Sequence, residues 1–410
     1  MKIFHRTKKK SRPVLITSSF VLIVGSGLAY FVSLGIVLPV VPQYAKERLG
    51  GSSVEVGIAV GALFLGAVLL RPYVGRLGDR FGRRFLIIGG AATVALSLSV
   101  YGLVVSLPFL IAARALTGLG EAAFFVGAAA LITDLAPTER RGEAISYWSI
   151  AVYGGLALGP VVGEALLESG GYNLVWVAAG GVGAVAVLLG CFTKDVVRPQ
   201  AVTGSKREPI INRSAVAPGM VLFSGLIALA AFTVFIPLYA GEVGLKNLEV
   251  VYFAYAAPVL IVRIFFARIP DRLGAIRSAS LALIATTAGM AVLALWTTVA
   301  GLLVGTIIFA LGSSLLYPAL FVLALSRAPE TERASVIGTF SSFFDLSQGL
   351  GSILVGLAVA GAGYQGGFAA GAVFAVMGFV LLTWRGIKTD NGKHISVDEI
   401  ELLGSEHSGS

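Results

Sequence analysis

The sequence predicts an all-α integral membrane protein in which twelve transmembrane helices form two pseudo-symmetric six-helix bundles. Three observations carry that expectation. The 410 residues are 56% hydrophobic and only 13% charged, with a mean hydropathy of +0.88, against about 25% charged in an average soluble domain. Apolar residues gather into runs of the roughly 20 residues that one helical crossing needs. They fall at about 14–40, 54–74, 85–106, 108–133, 142–167, 172–193, 215–240, 250–269, 277–299, 301–326, 334–360 and 364–385, without the alternation of barrel strands. The third observation is internal. An offset of 192 residues lays Arg71 on Arg263, Arg76 on Arg268, Asp79 on Asp271, Arg80 on Arg272, Gly82 on Gly274, Gly120 on Gly312 and Gly159 on Gly351. A constant offset near half the chain length marks two repeated halves.

These features divide the chain into a basic tail (1–13), a first bundle (14–193), a linker (194–214), a second bundle (215–385) and a polar tail (386–410). The net charge of +9 is spread over alternate loops and does not argue for a nucleic-acid partner. Lys2, Arg6, Lys8, Lys9, Lys10 and Arg12 precede the first run, and every second loop after it is basic. The intervening loops hold only Lys46, Arg48 and Lys246. Basic loops stay on the cytoplasmic side, so both termini are expected in the cytoplasm and the protein in the cell membrane. The first run is too long for a signal-peptide core and is read as an uncleaved span.

Composition also removes several chemistries. Cys191 is the single cysteine, and His5, His394 and His407 all lie in the tails. That excludes an intramolecular disulfide, a multi-cysteine metal site and histidine catalysis within the membrane. A Walker-type loop ending in Gly-Lys-Ser/Thr is absent, which argues against ATP as the energy source. Neither an enzyme nor a cofactor is expected.

The first span closes with Pro39 and Pro42, and the seventh with Pro237. Proline removes a backbone donor and ends or kinks a helix, and a broken helix beside a cavity frees carbonyls for ligands. Between the second and third spans lies Gly75-Arg76-Leu77-Gly78-Asp79-Arg80-Phe81-Gly82-Arg83-Arg84. Its glycines allow a tight turn, and Asp79 is suited to cap a helix N-terminus.

This stretch resembles the signature loop between spans 2 and 3 of the major facilitator superfamily. Residues 268–277 look like its degenerate copy, with Pro270, Ala275 and Ile276 in place of Gly78, Arg83 and Arg84. The resemblance implies two bundles around a central cavity and a conformational latch on the cytoplasmic side. That latch would comprise Gly75, Asp79, Arg80, Gly82 and Arg83, with Asp134 at the end of span 4 and Asp271 and Arg272 in the copy.

Span 4 carries Arg114 and Glu121 seven residues apart, on one helix face with Gly118 between them. A charge near the bilayer centre costs roughly 2.5–3.5 kcal/mol even on lenient scales, so such groups face a cavity or each other. An internal Arg114–Glu121 ion pair is the purely structural alternative. Span 5 carries Gly155, Gly159, Pro160 and Gly163, a smooth stripe for close helix approach. It resembles the motif of antiporter members of the superfamily, but Glu164 replaces a usual second glycine and is read as a solvated carboxylate near the outer surface. In the second half Thr306 and Ser313 stand where Arg114 and Glu121 stand in the first. Asp345 lies near the middle of span 11, with Tyr153 as its repeat mate.

The resemblance is closest to the twelve-span drug:proton antiporters. It implies proton-coupled export of small apolar or amphiphilic molecules by alternating access, with Glu121, Asp345 and Arg114 coupling the proton. Tyr30, Phe124, Tyr153, Phe235, Tyr255 and Phe344 are the aromatic candidates to line the cargo cavity. Export of a sugar, lipid or metabolite, or a uniporter or sensor without proton coupling, are the alternatives. The expected partners are the cargo, protons and the lipid bilayer, with the protein acting as a monomer.

Overall fold

Four of the helices begin where the sequence supplies a hydroxyl or amide to accept from a first-turn N–H that would otherwise lack a partner. A computed structural model describes residues 15–137, 140–195, 211–245, 247–265, 273–326 and 333–384. In it Thr17 Oγ1 accepts from Phe20 N at the start of α1 (Ser18–Val37). Ser52 and Glu55 form a reciprocal capping box at the start of α2 (Ser53–Phe81). Next come α3 (Arg83–Val100), α4 (Leu107–Leu135) and α5 (Arg141–Cys191). Asn212 caps α6 (Arg213–Glu242), which precedes α7 (Glu249–Phe265) and α8 (Ala275–Leu295). Thr298 caps α9 (Val299–Leu325), and α10 (Arg333–Trp384) ends the described chain.

Among the described residues nine helices are long and apolar enough to cross a membrane. Two of these, in α5 and α10, are 49 and 50 residues long, about twice a single crossing. Each bends at one glycine in a left-handed conformation, Gly171 with φ 69° and Gly363 with φ 68°. Each of α5 and α10 is thus long enough for two crossings, and the 17-residue α7 is a further apolar helix, shorter than those nine.

The repeat is written into the backbone. Gly171 and Gly363 are 192 residues apart, as are Gly82 and Gly274, with φ of 90° and 83°. Gly120 and Gly312 share the spacing too. A Cβ on Gly120 would meet the Gly90 carbonyl oxygen at 2.8 Å, and one on Gly312 the Ala282 oxygen at 2.7 Å. Residues 90 and 282 are themselves repeat mates, so α3–α4 and α8–α9 pack alike. Within the first bundle α1 lies along α5 and α2 along α4; in the second, α6 lies along α10 and α7 along α9. The bundles meet along two symmetry-related seams, α2 with α10 and α5 with α7.

The α2–α10 seam is closest at the end away from the chain termini. There a Cβ on Gly356 would meet the Ser53 carbonyl oxygen at 2.7 Å, and Gly57 faces the Ser352 carbonyl more closely still.

The polar stretch after Arg71 is not an open loop. α2 continues through Phe81, and Gly82 alone breaks the chain before α3 starts at Arg83. Arg71 therefore sits ten residues inside the helix, roughly 15 Å from its end at 1.5 Å per residue. The Asp79 backbone falls in the last turn of α2, on the other side of the Gly82 break from the start of α3. The carboxylate found there is Asp195, whose Oδ1 accepts from Arg84 N at 3.4 Å.

Candidate functional site at the bundle interface

Arg71, in the second half of α2, reaches two carboxylates on two other helices. Its guanidinium forms an ion pair with Asp345 of α10 through Nε and Oδ2, and Nη2 donates to Asp345 Oδ1 at 3.1 Å. The same Nη2 lies 3.4 Å from Glu121 Oε2 of α4. Asp345 is 2% exposed, and the side chains of Arg71 and Glu121 are each 12% exposed. The cluster thus joins the two predicted mid-membrane acids through an arginine absent from the predicted set. Because α2 and α4 belong to one bundle and α10 to the other, the Arg71–Asp345 bond crosses the seam. Phe125 lies beneath the guanidinium, 5.4 Å from ring centroid to Cζ. Phe64 and Phe344 meet across the same seam at 6.5 Å.

Arg114 does not join Glu121. Seven residues separate them by roughly 10 Å along the axis, and Arg114 turns to α2. There Nε donates to Ala59 O at 3.3 Å and Nη2 to Val60 O at 3.2 Å, with the residue 1% exposed. Its surroundings are those of a strut between α2 and α4, not of a partner to the acid.

The repeat mate of Arg71 has a different environment. Arg263 on α7 lies over the ring of Tyr153 on α5, with Cζ 3.4 Å from the centroid, so this arginine too spans a seam between bundles. Its Nε is enclosed and makes no hydrogen bond. Ser313, the mate of Glu121, meets the Tyr255 hydroxyl at 3.4 Å, and Tyr255 stacks on Phe232 at 4.9 Å. Tyr317 on α9 lies within electrostatic reach of Arg71 and Asp345 at one station and of Tyr153 at the other.

The six aromatic candidates divide. Tyr30 and Phe124 stack at 3.8 Å, and both are fully buried, as is Phe235. These three pack helix against helix and do not line an open cavity. Tyr153, Tyr255 and Phe344 are partly exposed and stand beside the charged groups. Phe125 and Tyr317, which the sequence did not single out, join them.

Glu164 corrects another expectation. It is 5% exposed, and its Oε1 accepts from Gln43 Nε2 at 2.7 Å. Gln43 also donates to Pro39 O at 3.1 Å, and the chain after it makes a π-helical turn over Tyr44–Arg48. The carboxylate is covered because the glycine stripe of α5 draws α1 onto it. A Cβ on Gly35 would lie 2.8 Å from Gly155 O and 2.9 Å from Gly159 Cα. Gly163 lies against the Ile36 backbone, and Pro160 is carried inside the helix.

At the α2–α3 corner Arg83 Nε stands 4.0 Å from Asp134 Oδ2, a contact within the first bundle. Arg80 is exposed, over the Phe81 ring at 5.1 Å. Gly75 and Asp79 fall in the last turns of α2. Asp271 and Arg272 lie outside the described residues, as does the Asp79 side chain.

The model of the Major Facilitator Superfamily matches residues 23–300 and 248–401, nearly all of the helical region. The chain belongs to the major facilitator superfamily. It is 29% identical over 361 residues to an uncharacterized MFS-type transporter of Salmonella typhimurium, covering 85% of this chain and 91% of that relative. It is 26% identical over 377 residues to the uncharacterized MFS-type transporter YhhS of Escherichia coli, covering 89% and 91%.

The fold is shared with a bacterial homologue of the human lysosomal transporter Spinster in an inward-facing, unoccupied conformation. There the TM-score is 0.74 at 16% identity, over 91% of this chain and 97% of that one. The nucleoside transporter NupG superposes with a TM-score of 0.68 at 15% identity, over 89% and 98%. A human organic anion transporter gives 0.67 at 16%, over 90% and 100%. This superfamily member is therefore a multi-pass membrane transporter, and its superfamily is not one of enzymes.

Proposed function

We propose that this transporter is a proton-coupled exporter of the cell membrane, exchanging small apolar or amphiphilic molecules, drugs among them, for protons by alternating access. The observation that carries the reading is the Arg71–Asp345–Glu121 cluster across the α2–α10 seam. One cation faces two carboxylates, so the cluster holds net negative charge until one acid takes a proton. A proton on Asp345 removes the charge that binds Arg71 across the seam. The loss of one partly buried ion pair alters the balance between access states by the differential free energy of that pair. The seam then loosens, the bundles rock and the proton is released on the other side. The glycine stripe of α5 supports antiport through its likeness to the antiporter motif. Gly75, Asp79, Arg80, Gly82, Arg83 and Asp134, with Asp271 and Arg272, are assigned the latch.

The test is counterflow and pH-driven uptake of a panel of labelled compounds in proteoliposomes. Asp345→Asn and Glu121→Gln keep shape and hydrogen bonding but cannot titrate. Both variants are expected to exchange cargo at equal pH and to lose uphill transport driven by a pH gradient. Full pH-driven accumulation in both would overturn proton antiport through this cluster.

A further inference from the structure

The repeat places an arginine in each half at the same position, yet among the described residues only Arg71 pairs with an acid. Arg71 faces Asp345 and Glu121. At the mate of Asp345 Arg263 meets Tyr153, at the mate of Glu121 Ser313 meets the Tyr255 hydroxyl, and among the described residues no carboxylate pairs with Arg263. A guanidinium in a seam between helices is costly without a counter-charge. The Tyr153 face recovers only part of that cost, as a cation over an aromatic ring is held more weakly than one paired with a buried carboxylate. Its fixed fork of N–H donors suits a carboxylate or a phosphate. The Tyr255 hydroxyl and Ser313 add neutral hydrogen-bonding groups nearby. Behind them Phe232, Tyr255 and Phe309 form a stacked apolar wall, with centroids 4.9 to 5.9 Å apart.

We propose that Arg263, with Tyr153, Tyr255 and Ser313, is an anion-recognition subsite of the transport cavity, and that the cargo is an amphiphile bearing a carboxylate or phosphate beside an apolar body. The inference rests on the transport reading above and narrows its cargo. Arg263 holds the anionic group, the partly exposed Tyr255 ring, backed by the buried Phe232 and Phe309, takes the apolar part, and the acids beside Arg71 remain free for the proton. The asymmetry of the repeat then has a function: one half carries the counter-charged station for protons and the other a vacant cation for cargo.

The experiment measures equilibrium binding of four probes sharing one ring system to the purified full chain: naphthoate, naphthyl phosphate, naphthylmethylammonium and naphthalenemethanol. The two anions are expected to bind at least about tenfold tighter than the cation and the alcohol, a difference of about 1.4 kcal/mol. Arg263→Gln should abolish that preference and leave alcohol binding within about twofold, and Arg263→Lys should keep part of it. Tyr153→Leu provides a second reading if Arg263→Gln does not fold, and should weaken the anions selectively. Equal binding of cation and anions to the wild type, or a preference that survives Arg263→Gln, would overturn the subsite.

The pH dependence of naphthoate binding, over the range where the probe stays ionised, separates this inference from antiport. Antiport requires binding to strengthen as pH rises and the acids empty. Binding that strengthens as pH falls, with the Arg263 preference intact, would retain the subsite and replace exchange by co-transport.

Discussion

At the scale of single residues, the sequence flagged charged groups by depth but did not reveal which of them touch. Glu121 and Asp345 were legible because an acid deep in an apolar run is costly wherever it points. Arg71 was not, because it opens a dense polar stretch and reads as surface. The signal that distinguishes it is its separation from Gly82, which leaves it nearly three turns, about 15 Å, inside the helix once α2 is seen to persist to Phe81. Its repetition at Arg263 is a second. Glu164 was misjudged for the opposite reason: nearness to a helix end suggested water, whereas the approach of α1 covers it. The assignment of Arg114 as a strut carries its own prediction. Polar contacts between membrane helices are worth about 0.6–1.7 kcal/mol each, and Arg114 makes two. Arg114→Gln should therefore lower stability by about 1–3 kcal/mol, seen as an earlier thermal unfolding transition in detergent. The pH dependence of transport should stay that of the wild type, whereas a shifted pH profile at unchanged stability would return Arg114 to the proton pathway.

At the scale of elements, helix positions were legible from hydropathy, and the structure adds the capping residues, such as Ser52 and Thr298, that set their starts. The corner after α2 was not. Gly75 and Gly78 suggested a turn, but glycine is common inside membrane helices, and only Gly82 takes the positive φ that a break needs. The seams are governed by small residues, as expected where lipid provides no hydrophobic drive between helices. This makes the α2–α10 contact sensitive to one added side chain. Gly356 faces the Ser53 carbonyl with no space for a Cβ, so Gly356→Leu should wedge the seam open at the end away from the termini without disturbing the fit within either bundle. An introduced thiol at Ser352, 1% exposed and opposite Gly57, should then react with maleimide several-fold faster in the leucine background than in the glycine one. Equal rates would show that this seam does not control access.

At the scale of the whole molecule, two-fold repetition was the most legible property. It predicted equivalent positions that the backbone reproduces at Gly82 and Gly274 and at Gly171 and Gly363. The end at which the bundles close was not legible, since it depends on side-chain fit between elements remote in sequence. Orientation in the membrane is a separate question, answered so far by charge alone: Lys and Arg crowd the amino-terminal tail and every second loop, while Lys46, Arg48 and Lys246 are the exceptions. The prediction is that both termini and the linker are cytoplasmic, and an impermeant thiol reagent added to intact cells tests it. In a Cys191→Ser background, cysteines at Lys206 and Lys388 should stay unlabelled until the cells are opened. A cysteine at Ser106 should label from outside. Ser106 suits the purpose better than Ser52, because it is exposed and its side chain makes no capping bond, whereas Ser52 closes the capping box of α2. Labelling of the Lys206 position from outside, with Ser106 protected, would invert the orientation and with it the direction in which the proton gradient drives cargo.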